Sequence, residues 1–142
     1  MVKLVLRYGE LEITPQTPIL TVNTTEEQPD IGISSSEPGV YYTLILYDPD
    51  AAKPLWLHWI VENLNPLEMS HVNQAMIYYG PHPPKGQTHR YIASLYRQEV
   101  LGMHQFNPKD RPDWTLDEIL SPLNISSANL LDTIEFRVKA DF

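Results

Sequence analysis

Val2 to Tyr8 alternates apolar and polar residues, the period of a strand with one buried face, and Gly9 breaks it. Leu11 to Ile13 continues as a hairpin arm, and Pro15 and Pro18 confine any strand over Ile19–Val22 to a sheet edge. Asn23 to Pro38 is polar and turn-rich, with one short apolar beat at Ile31 and Ile33, and reads as surface loop holding a brief strand. Four further strands are predicted at Val40–Tyr47, Leu55–Leu64, Ala75–Tyr79 and Arg90–Gln98. Their runs are β-branched, aromatic and too short for amphipathic helices. Gly102 to Asp113 is irregular. Thr115 with Glu118 three residues on spells a capping box for a short helix over Leu116–Leu120, which Pro122 stops. Leu130 to Val138 alternates again. Strands at this spacing, joined by Pro-rich turns, predict a mainly β fold, an antiparallel β-sandwich with one or two short peripheral helices.

With 142 residues, 42% of them apolar, the chain suits a single domain over 1–142 with one core. The net charge of −8 is concentrated toward both ends, while residues 40–109 are balanced and hold all five histidines. An acidic chain without a basic stripe is expected to bind no nucleic acid, because phosphate backbones are held by clustered Lys and Arg. There are no cysteines, which excludes disulfides, thiolate metal sites and a cysteine nucleophile. No apolar run approaches membrane-spanning length, and the N-terminus is too charged for a signal peptide. A cytoplasmic protein without an integral membrane segment is expected.

The chemistry concentrates in two stretches, Tyr47–Val61 and Tyr79–Tyr91. Each sets a histidine in a strand-like run beside a Pro-rich loop, and a ring buried in a sheet costs free energy unless it is paired. Pro49 follows Asp48 at a strand end, so Asp48 and Asp50 can reach back toward the sheet. By period two, Trp56, His58 and Ile60 share one face and Leu57, Trp59 and Val61 the other, while His89 and Tyr91 share a face in the next run. Gly80 and Gly86 bracket a loop stiffened by Pro81, Pro83 and Pro84, preorganised to offer backbone amides at low entropic cost. Two imidazoles, a tyrosine hydroxyl and loop amides suit a phosphate or carboxylate, and an adjacent Asp would raise one imidazole's pKa. Taken singly each group has an ordinary explanation: a satisfied core histidine, an Asx turn at Asp48, a surface ion pair at Arg90, core indoles at Trp56 and Trp59. His82 is placed on the outer side of its loop. His71, His82 and His104 sit in unrelated contexts, so no metal site and no cofactor are expected.

Asp48-Pro49-Asp50-Ala51, Leu57-His58-Trp59-Ile60-Val61, and Gly80-Pro81-x-Pro83-Pro84-x-Gly86 with His89-Arg90-Tyr91 together resemble the phosphatidylethanolamine-binding protein family, which includes Raf kinase inhibitor protein. Leu6-Arg7-Tyr8-Gly9, Tyr42–Leu46 and Trp114–Leu123 extend the resemblance over nearly the whole chain. It implies a β-sandwich with an anion pocket at one end, formed by Asp48, His58, His89 and Tyr91, with Gly80 and Pro81 at the rim and Asp50 nearby. It further implies a non-enzymatic module that binds a phospholipid head group, a phosphate-type anion or a phosphorylated peptide and regulates a protein such as a kinase or protease. Two departures stand out. Ala52 replaces the proline of the family's Asp-Pro-Asp-Ala-Pro, relaxing that loop. No counterpart of the C-terminal helix found in animal members follows the last strand, so a more open pocket is expected.

Two other readings compete. One is a hydrolase using His58, His89 and Asp48, although no His-x-x-x-His spacing and no Gly-x-Ser-x-Gly supports it. The other is a scaffolding or protease-inhibiting domain with a vestigial pocket.

Overall fold

The computed structural model describes residues 1–51 and 54–141. The expectation attached to Ala52 lies outside them. Among the described residues nine strands form two layers: β1 (Lys3–Tyr8), β2 (Leu11–Glu12), β3 (Leu20–Thr21), β4 (Asp30–Ser34), β5 (Tyr41–Asp48), β6 (Trp56–Leu64), β7 (Asn73–Met76), β8 (Thr88–Gln98) and β9 (Leu130–Lys139). A three-stranded sheet in the order β2-β1-β4 faces a six-stranded sheet in the order β3-β9-β8-β5-β6-β7. The pairings are antiparallel, as the alternation predicts, with one exception: β3 runs parallel to β9 over two residue pairs.

The core lies on both faces of the large sheet. Between the sheets, Leu4, Leu6 and Ile33 pack on Leu44, Leu46, Trp59, Val61, Tyr91, Ala93, Leu95 and Phe136. The other face buries Ile45, Leu57, Ile60 and Tyr96 under Ile119, Leu120, Leu123 and Ile125. Those last residues come from α1 (Leu116–Leu120), the one α-helix among the described residues, and the chain after it. Its capping box forms as expected, with Glu118 N–H donating to the Thr115 hydroxyl and Thr115 N–H donating to the Glu118 carboxylate. Pro122 does not end the helical path at once; it sits in a 3-10 turn, Ser121–Leu123, where a missing N–H costs nothing. β7 begins two residues earlier than the apolar run suggests and stops at Met76, although Tyr79 N–H still donates to the His58 carbonyl of β6.

A register shift in β6 shapes the site. The strict period-two reading of β6 put Ile60 on the face of His58. Instead Leu57 and Ile60 face the helix side and Trp59 and Val61 face the small sheet. The register between β5 and β6 slips, from Leu46↔Trp59 to Tyr47↔Leu57, leaving His58 as the extra residue of a β-bulge. His58 and Trp59 thus point to the same side. No helix among the described residues is long and apolar enough to cross a membrane.

Candidate functional site

The strand ends carrying Asp48, Trp56, His58, His89 and Tyr91 lie at one end of the large sheet, where β5, β6 and β8 are neighbours. They wall a cavity of about 310 Å³, completed by Tyr79, His82, Pro83, Pro84 and Gln87 from the loop before β8 and by Asp50 and Ala51 from the loop after β5.

Asp48 is buried and fully engaged. Its Oδ1 accepts the N–H groups of Asp50 at 2.7 Å and Ala51 at 3.0 Å, closing the turn, and its Oδ2 meets His89 Nδ1 at 2.8 Å. The Asx bond and the imidazole contact, alternatives in the sequence reading, are both made, one by each oxygen. The second nitrogen of His89 lies 3.1 Å from Gln87 Oε1. Asp50 reaches away from the cavity floor to Arg90, whose Nε and Nη2 donate to its two oxygens at 3.2 and 3.0 Å while the Arg90 backbone N–H adds a third bond. This guanidinium holds the Asp50 carboxyl below the usual carboxylate range.

His58 differs from His89 although both look alike in sequence. Its Nδ1 faces the carbonyl oxygen of Tyr79, so that nitrogen carries the proton and Nε2 is the free one. No carboxylate is bonded to the ring. Burial pushes its pKa down to about 4, the Tyr79 carbonyl opposing and the Arg111 and His89 charges adding to the shift. Without a charged partner this ring stays neutral through the physiological range. Its Nε2 is then an acceptor, suited to the P–OH of a phosphate monoanion or to an ammonium group.

Tyr91, fully buried, crosses the His58 ring edge-on at 5.3 Å and stacks on Phe136. Its hydroxyl pKa is raised by burial first and by the nearby Asp48 charge second. Among the described residues it is the one buried side-chain polar atom without a hydrogen-bond partner. Such an atom costs roughly 1–3 kcal/mol unless water or a ligand meets it.

Trp56 and Tyr79 form the aromatic wall, with ring centroids 4.5 Å from Trp56 to His58 and 5.3 Å to Tyr79. Behind them lies Arg111, which sequence reasoning missed. Its guanidinium donates to the carbonyls of Leu57, His58, Ile77 and Pro108, and sits 5.5 and 5.4 Å from the Trp56 and Tyr79 ring centroids. One planar fork thereby pins the bulged strand, the Tyr79 segment and its own loop. No local signal in Lys-Asp-Arg-Pro-Asp announces this, because the acceptors are backbone carbonyls distant in sequence.

Gly80 and Pro81 do not line the cavity. They line an adjoining hollow of about 460 Å³ with Val22, Asn23, Glu26 and Tyr78, and Tyr79 and His82 form the partition between the two spaces. A Cβ on Gly80 would stand 2.7 Å from the Thr25 carbonyl oxygen, so this position admits only glycine without displacement. His82, placed on the outer side of its loop by the sequence reading, instead faces the mouth of the cavity. Among the described residues no group of three or more His, Cys, Asp or Glu is gathered as a metal cluster.

A family model described as phosphatidylethanolamine-binding protein matches residues 12–135, and the chain belongs to that family. Among relatives, it is 38% identical over 82 residues to Protein MOTHER of FT and TFL1 homolog 2 of Oryza sativa subsp. japonica, a match covering 51% of this chain and 47% of the relative. It is 30% identical over 106 residues to Protein TWIN SISTER of FT of Arabidopsis thaliana, covering 69% and 59%. The chain thus spans about half to three-fifths of these relatives. Its fold is similar to that of carboxypeptidase Y inhibitor, solved in complex with its cognate proteinase, with a TM-score of 0.75, 22% identity, and coverage of 98% of this chain and 83% of that one.

Proposed function

We propose that the protein is a non-enzymatic binding domain whose cavity at Asp48, His58, His89 and Tyr91 accepts a phosphate-type group, as a phospholipid head group or a phosphorylated side chain. The observation that carries this reading is the buried Tyr91 hydroxyl, near the Asp48 carboxylate but without a hydrogen-bond partner, on a ring that meets the His58 ring edge-on while the His58 Nε2 is free. A phosphate monoester monoanion answers both, with an acceptor oxygen for Tyr91 and a P–OH donor for His58; a phospholipid's phosphodiester has no P–OH, and there the head-group ammonium would be the donor to His58. Asp50 is tied to Arg90 and shapes the loop, while Gly80 and Pro81 support the partition from outside. The reading extends to regulation of a protein partner such as a kinase or protease, in a cytoplasmic setting; family membership supports a binding and regulatory role in general terms.

A hydrolase reading would have to use the cavity's own Asp, His or Tyr groups, or a water they activate, because among its described residues there is no Ser, Thr, Cys or Lys. The expected test is a titration of isotope-labelled protein with inorganic phosphate and, separately, O-phosphorylethanolamine. Binding should shift the His58 and His89 ring resonances and the Tyr91 ring together. Silence of these three rings to about 10 mM of either probe, a range that detects even millimolar affinity, would refute the site.

A further inference from the structure

A second feature lies outside the pocket, on the free edge of β9. That strand is covered on one side by β8 along its length. On the other side, among the described residues, it is covered only at its two ends. β3 runs alongside Val138 and Lys139, and Leu4 N–H donates to Asp132 Oδ2 at 2.8 Å. Between them, Thr133 to Arg137 borders a hollow of about 550 Å³, whose far wall is the Ile13–Thr17 segment after β2. Thr133 N–H turns to the side chain of Asp132, at 2.9 Å, rather than to a strand. By alternation, the backbone groups of Glu135 and Arg137 point to the same open side.

Side chains give this edge a chemistry. Ile13, Ile134 and Phe136 form an apolar floor continuous with the core between the sheets. On the outer face, Arg90 and Arg137 stand directly opposite each other across the β8–β9 ladder, an arrangement of like charges that is unfavourable without an anion nearby. Asp50 neutralises Arg90, and Glu135, two residues from Arg137 on the same face, also lies near Arg90; Arg137 itself makes no ion pair among the described residues. Five residues of open edge run about 16 Å, the length of one short strand.

The geometry points to an occupant: an extended acidic segment of a partner protein, added as a strand to Thr133–Arg137, with alternate apolar side chains on the Ile13–Phe136 floor and a carboxylate on Arg137. Main-chain hydrogen bonds would supply affinity and the two faces specificity. This inference is independent of the phosphate reading.

The probe is an acetylated hexapeptide amide alternating Val and Glu, titrated into the labelled full chain. The expected result is amide shifts confined to Thr133–Arg137 and Thr14–Thr17, with the His58 and His89 rings unmoved. N-methylation of alternate peptide residues, which keeps the side chains and removes the backbone donors, should abolish binding. The surface variant Arg137→Glu should weaken it by up to about fivefold, the top of the range for an exposed ion pair, and a Lys-for-Glu peptide should bind more weakly still. Equal binding by the N-methylated peptide, indifference to Arg137→Glu, or absence of shifts at this edge overturns the inference. So does a concentration-dependent dimer, seen by sedimentation, that protects the same amides without peptide, since the edge would then serve a second copy of this chain.

Discussion

Tyr91 and His58 show how single groups report on the cavity. Tyr91→Phe removes a buried hydroxyl that has no partner, so thermal or denaturant unfolding should show stability unchanged or raised by up to about 1 kcal/mol. The same variant should bind inorganic phosphate at least about tenfold more weakly, the scale of one hydrogen bond to a charged group. A loss of stability without a change in phosphate affinity would mean that the hydroxyl serves the core. His82 adds a milder case. It lines the cavity, is exposed, and makes no side-chain hydrogen bond among the described residues, so His82→Ala should leave folding intact and change phosphate affinity less than Tyr91→Phe does, checked in the same calorimetric series.

At the scale of elements, the turn before β8 is held by close approach as much as by its prolines. Gly80→Ala forces a Cβ against the Thr25 carbonyl at 2.7 Å and the Glu26 carbonyl at 3.1 Å, and backbone on both sides cannot swing aside as a side chain would. The expected cost is about 1–3 kcal/mol in chemical denaturation, with displacement of the Tyr79 carbonyl visible as a shift of the His58 Nδ1 proton. Retention of full stability would show that the Thr25–Glu26 turn yields. Thr115→Ala tests a remote element. Losing the cap of α1 should cost about 1 kcal/mol, because this short helix persists through the packing of Ile119 and Leu120 as well as its own hydrogen bonds. The phosphate response of the His58 ring should be the same in this variant.

For the molecule as a whole, the buried neutral His58 links folding to pH. Its folded pKa of about 4 lies below its ordinary 6.5, so the unfolded chain binds the proton more readily. Stability from this group is therefore fully present above about pH 6.5 and falls as pH drops toward 4, by roughly 3 kcal/mol over the window. Unfolding free energies of the wild type and His58→Gln, measured from pH 7.5 to 4.5, should converge as pH falls. Parallel curves would show that His58 does not carry this dependence.

Much of this architecture follows from the chain alone. Alternation in Val2–Tyr8 and Leu130–Val138, the β-branched and aromatic runs of β5, β6 and β8, and the Thr115–Glu118 box all express local periods and local hydrogen bonds, which are written in neighbouring residues. The two histidine-bearing stretches were likewise legible, since a strand histidine beside a rigid loop needs a partner wherever the fold puts it. What only tertiary structure decided depends on register and on distant groups. The bulge that turns His58 to the side of Trp59 arises from the pairing of β6 with β5. Arg111 joins carbonyls from three separate segments, an interaction with no side-chain signature in any of them. The two imidazoles diverge for the same reason: His89 meets the Asp48 carboxylate, whereas His58 meets only a carbonyl in a buried site. Which of two similar rings gains a charged partner is set by strand order and loop approach, and a local sequence pattern contains neither.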